Sequence, residues 1–140
     1  GWHLDTLWRS GTLKQITGFT LLGLALLSLL LSARKRIPRF RFGEVVWWRA
    51  IHATLGALMV VMLVSHTGFR LGHNLNFVLM ADFLALALLG ALAGGVTALE
   101  TRLSGPVGRR IRAAWTAAHI AAVWPLGVLI FFHMFASYYF

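Results

Sequence analysis

Leu, Ala, Val and Phe fill four long runs of the chain, at positions 13–33, 45–67, 77–98 and 111–139, and polar residues gather in the stretches between them. A helix needs about 20 apolar residues to cross a hydrocarbon core, so each run predicts one membrane span. The three connections are short, with no linker or low-complexity tract. The pattern predicts an all-α integral membrane protein, a single four-helix bundle over positions 1–140.

Composition strengthens this reading. Of 140 residues, 59% are hydrophobic and 12% charged, whereas water-soluble domains carry about 25% charged residues. Lipid is therefore the expected solvent. The first run lies too deep and is too long to be the apolar region of a signal peptide, so no removed targeting segment is expected.

The formal charge of +9 would fit a nucleic-acid partner if it formed a basic patch. Here the basic residues sit between apolar runs, which reads as membrane topology, and no nucleic-acid partner is expected. Arg34, Lys35, Arg36, Arg39 and Arg41 fill the first connection, and Arg102, Arg109 and Arg110 the third, with Arg112 at the next helix start; the middle connection has Arg70. Cytoplasmic loops are enriched in Lys and Arg. Both termini are therefore expected on the periplasmic side of a bacterial inner membrane, and the second and fourth spans run parallel. Trp47, Trp48 and Trp115 at inner ends and Tyr138 and Tyr139 at the outer end match the aromatic preference for headgroup level. Trp124 lies deep instead, and is expected to pack between helices or on a cofactor.

Absence of cysteine excludes disulfides, iron–sulfur clusters, thiolate metal sites and covalently attached haem. A redox cofactor would have to hang on His or Met. Four histidines fall inside the spans: His52 and His66 are 14 residues apart, and so are His119 and His133. An intramembrane histidine is costly and points to function by default. A separation of 14 is just under four helical turns, which leaves the two side chains about 40° apart on one face and about 21 Å apart along the axis. On parallel helices, His52 can meet His119 toward the inside and His66 can meet His133 toward the outside. Two imidazoles from neighbouring helices supply the fifth and sixth ligands of a haem iron. Zinc would want a close tetrahedral set, and copper would draw on Cys or Met nearby. The competing reading is four unrelated hydrogen-bonded histidines; two equal pairs on parallel spans weigh against it.

In these four positions and in helix order the chain resembles the diheme cytochrome b family, in particular the ligand-bearing four-helix half of cytochrome b from quinol–cytochrome c oxidoreductases. That half carries paired histidines at this spacing on its second and fourth helices. Ferric reductase-like membrane domains use comparable pairs in larger bundles. The resemblance implies two haem b groups between the second and fourth helices, with His52, His66, His119 and His133 as iron ligands. The later helices of cytochrome b, which hold much of its quinol oxidation site, have no counterpart here.

Other residues can be placed around such cofactors. Gly18, Gly23, Gly90, Gly94, Gly95, Gly56 and Gly127 would let backbones approach flat rings, although small residues are also ordinary packing devices between membrane helices. Arg49, Arg70 and Arg112 lie near the ligands where haem propionates would emerge, and Arg can grip a carboxylate with two hydrogen bonds. For Arg49 and Arg112 the alternative is topology alone. Met59 and Leu126, halfway between the ligands, are expected to face the gap between the haems, and Pro125 to bend the fourth helix. Asp82, the one acid well inside a span, is expected to pair with Arg70 or to accept a quinone proton. His3 and His73 have no partner at matching spacing and stay unassigned.

The expected function is transmembrane electron transfer, by one subunit of a larger redox complex exchanging electrons with a quinone pool or a redox partner. A stand-alone quinol or ferric reductase is the alternative within redox chemistry. Outside it stands a non-redox structural or assembly subunit.

Overall fold

In a computed structural model of the chain, the structure describes residues 10–30, 34, 37, 43–103 and 105–139. His3, Lys35, Arg36, Arg39 and Arg41, and positions 31–33 of the first expected span, lie outside the described residues. Helices α1 (Gly11–Ser28), α2 (Val45–Thr67), α3 (Leu75–Ala91), α4 (Ala93–Leu103) and α5 (Pro106–Tyr139) follow one another, with no strand among the described residues. They fall into two compact units, Gly1–Arg70 and Leu71–Phe140.

The first unit is an antiparallel hairpin of α1 and α2. Thr17, early in α1, meets His66 late in α2, while Ser28 at the end of α1 meets His52 early in α2. Ser10 caps α1, its side chain accepting from the Leu13 N–H at 3.4 Å, which satisfies a donor that the first helical turn leaves open. Helix α2 stops at Gly68, which takes the left-handed backbone (φ 59) and donates its N–H to the Val64 carbonyl.

The second unit packs α5 antiparallel against α3, with Asn76 meeting His133 and Leu89 meeting Trp115. Here the structure corrects the third expected span. The run 77–98 is not one helix: α3 ends at Ala91, and α4 leaves at an angle of 43° across Leu92. Gly90, Gly94 and Gly95 flank the break, and glycines weaken a helix by about 1 kcal/mol each. The third polar connection also shrinks. Arg102 belongs to α4, and Arg109 and Arg110 to α5, which Pro106 opens in the position where a helix tolerates proline best. Gly108 lets α5 approach α4 closely, since a Cβ there would lie 2.8 Å from the Glu100 carbonyl oxygen.

Helices α2 and α5 are each long and apolar enough to cross a membrane, and α3 with α4 makes a third candidate if the bent pair is one span. Helix α1 is not among them: Lys14 and Gln15 dilute the start of its 18 residues. Among the described residues, Met80 and Leu126 are the buried apolar side chains, while Val61 (61%), Leu88 (60%) and Phe131 (64%) stand exposed. Apolar exposure on that scale fits contact with a lipid bilayer. Trp124 is 77% exposed, because five residues past His119 carries it about 140° round the helix, away from the face that packs on α3.

Candidate functional site

The half-buried positions of α2 include a row, Trp48, His52, Leu55, Met59, Met62 and His66, in alternating steps of four and three. On α5 the same steps run Trp115, His119, Ala122, Leu126, Leu129 and His133, with Leu126 fully buried. Such a rhythm is the seam along which one helix packs on another. The separation of 14 within each histidine pair is therefore two full repeats of the seam, and both members of a pair share the packed face. Met59 and Leu126 sit midway along the seams, as their sequence positions require.

His66, His52 and His133 each meet a polar group on the helix they pack against. His66 Nδ1 lies 2.9 Å from Thr17 Oγ1. That hydroxyl also lies 2.8 and 3.2 Å from the Leu13 and Lys14 carbonyls, and with its proton on either of them it is an acceptor toward the imidazole. His52 Nδ1 lies 3.1 Å from the Ser28 carbonyl oxygen, which can only accept. His133 Nδ1 lies 2.8 Å from Asn76 Oδ1, also an acceptor. In a neutral ring, an acceptor at Nδ1 selects the tautomer protonated there. His119 is set differently, stacked on Trp115 with ring centres 5.6 Å apart and planes at 21°. Trp115 is itself anchored, its indole N–H donating to the Leu89 carbonyl at 3.1 Å.

Two of the seven singled-out glycines touch these rings. A Cβ on Gly18 would meet His66 Cε1 at 3.2 Å, and one on Gly90 would meet His119 Cε1 at 3.9 Å. Their close neighbour is thus an imidazole. Gly23, Gly56, Gly94, Gly95 and Gly127 have nothing within 4 Å of a Cβ position. A cleft of about 150 Å³ opens beside His52, with Ser28, Trp48, Ile51 and Leu55 among its walls.

Of the three arginines, Arg49 and Arg70 are exposed in the first unit. Arg112 is engaged: its guanidinium donates to Glu100 Oε2 at 2.8 Å, tying α5 to α4. Asp82 Oδ2 is buried with no hydrogen-bond partner among the described residues. His73 is exposed in the turn before α3.

No protein-family model matches the chain, and neither a curated protein nor a solved structure matches it.

Its own chemistry can still be tested against the cofactor that the sequence implies. Haem iron takes a neutral imidazole through one ring nitrogen, and the other N–H of a ligating histidine is ordinarily held by a carbonyl, carboxylate or similar acceptor. His52, His66 and His133 each have such a partner at Nδ1, so these residues fit the group. Sequence reading missed Thr17, Ser28, Asn76 and Glu100 as partners. It also missed a repeat: Trp48 and Trp115, His52 and His119, and His66 and His133 are all separated by 67 residues. Sliding the chain against itself would have exposed Trp-x3-His-x13-His twice.

Proposed function

We propose that the chain carries electrons across a membrane through two b-type haems, as a subunit of a larger redox complex that exchanges electrons with a quinone pool or a protein partner. One haem would be ligated by His52 and His119, the other by His66 and His133, within a bundle of four spans. The observation that carries this reading is the doubled Trp-x3-His-x13-His seam, in which the Nδ1 atoms of His52, His66 and His133 each have an acceptor on a neighbouring helix.

Bound haem would supply one-electron chemistry that the side chains lack. The chain's own contribution is orientation and insulation. The seam fixes both ligands of a helix on one face, about 21 Å apart along the axis. Met59 and Leu126 keep the middle of that face apolar, and Arg49 and Arg70 are exposed cations of the kind that bind propionates.

Purification of the full chain and a reduced-minus-oxidised visible spectrum test the proposal. Two haems per chain are expected. His52→Ala and His119→Ala should lose the same one, and His66→Ala and His133→Ala the other. A chain without a b-type band, or variants that leave the spectrum intact, would overturn the reading in favour of a structural subunit. Quinol oxidation or ferric reduction without any partner would replace the relay with a stand-alone reductase.

A further inference from the structure

The histidine pairs differ in what holds them. His52 is held by a backbone carbonyl, but His66 and His133, which stand at corresponding places on the two seams, are each held by a side chain from the neighbouring helix. A neutral imidazole can carry its proton on either nitrogen, and the acceptor it meets decides which. Thr17 is only 6% exposed, so water does not compete for its hydroxyl. Its proton goes back to Leu13, as those of Thr20, Thr67 and Thr116 go back one turn along their own helices. Such back-bonding converts a threonine into an acceptor for whatever packs against it. Thr17 meets His66. Asn76, in the first turn of α3, reaches His133 with its amide oxygen, and the turn before it passes so close that a Cβ on Gly72 would lie 2.7 Å from the Cβ of Asn76.

We infer that Thr17 and Asn76 are positioning residues for the outer histidine pair, holding His66 and His133 as Nδ1–H imidazoles so that Nε2 is the ligating atom of both. The inference rests on the haem reading above. Acceptors on Nδ1–H also raise the basicity of the ligating nitrogen, which favours ferric over ferrous iron and lowers the potential of the haem so held.

The test has two arms on the full chain in detergent or nanodiscs. In the haem-free chain with ¹⁵N-labelled histidine, the ring-nitrogen NMR signals of His66 and His133 should be those of the Nδ1–H tautomer. Thr17→Val should move the His66 signals alone toward the other tautomer, and Asn76→Leu those of His133 alone. Thr17→Ser and Asn76→Asp, which keep an acceptor, should restore them. Finding Nε2–H in the unaltered chain, or no change in either variant, overturns the inference whether or not haem binds. In the haem-loaded chain, Thr17→Val and Asn76→Leu should each raise the midpoint potential of one and the same haem, with Thr17→Ser reversing the first shift. Unshifted potentials would also overturn it. Nδ1–H tautomers in a chain that takes up no haem would overturn the haem reading while upholding the tautomer control.

Discussion

Gly18 on α1 lies directly beneath the imidazole of His66 on α2, so close that an added Cβ would stand 3.2 Å from Cε1 of the ring. One methyl group there requires the ring to give by a few tenths of an ångström; a larger side chain requires it to leave. If the chain holds two haems as proposed, Gly18→Ala should retain both with a shifted spectrum for the haem on His66, and Gly18→Leu should lose that haem. Gly23→Leu, one and a half turns further along α1 with open space at its Cβ, should retain both. Haem-to-protein ratios across the three variants check this, and equal loss at both positions would mean that bulk anywhere on α1 is the cause.

A second glycine, in the second unit, stands against a partner of His133. Gly72 has φ +72, and its Cβ position runs into Asn76 at 2.7 Å; Gly105 has φ +86 with nothing within 4 Å. Both carry the left-handed backbone cost of about 1–2 kcal/mol when replaced by alanine. Only Gly72→Ala adds a clash, and it pushes on the residue that holds His133. Chemical unfolding in detergent should show Gly72→Ala as the more destabilising of the two, and only that variant should disturb the His133 ring signals.

Hydropathy was enough to locate α2, whose expected and observed limits are both 45–67, and the end of α5 at Tyr139. It failed where helix formation and hydrophobicity part company. Arg109, Arg110 and Arg112 lower hydropathy but are good helix formers, so α5 begins at Pro106 and not at 111. The bend at Leu92 lies within an apolar run, and hydropathy does not register the glycines around it. The four histidines and their shared face were legible because a helical period governs them. Their partners were not, since a back-bonded threonine, a backbone carbonyl and an asparagine at a helix start share no spacing rule.

Arg112 offers a direct contest between two roles. Its ion pair with Glu100 is partly exposed, with side chains 47% and 21% accessible, and pairs of this kind contribute about 0–1 kcal/mol to stability. Losing the pair should then matter little for folding. If Arg112 serves a propionate, Arg112→Ala should lower retention of the inner haem, whereas Glu100→Gln, which leaves the guanidinium in place, should not. Haem release to an external acceptor protein measures this. Equal release from the two variants would assign Arg112 to joining α4 and α5 alone.

Trp115 combines two contacts that substitution can separate. Its indole N–H crosses to the Leu89 carbonyl on α3 at 3.1 Å, and its ring stacks on His119. Trp115→Phe keeps a ring for stacking and removes the hydrogen bond, which should destabilise the second unit by about 1 kcal/mol. Trp115→Leu removes the stack as well, for a further loss of about 0.5–1.5 kcal/mol, and takes one contact from the His119 ring. Chemical unfolding in detergent should therefore rank the unaltered chain above Phe and Phe above Leu. If a haem is held on His119 as proposed, its ferric electron paramagnetic resonance signal, which reports the orientation of the ligand rings, should broaden in Trp115→Leu and stay close to the unaltered form in Trp115→Phe. A Phe variant as broad as the Leu variant would mean that the hydrogen bond to Leu89, and not the stack, sets the ring of His119.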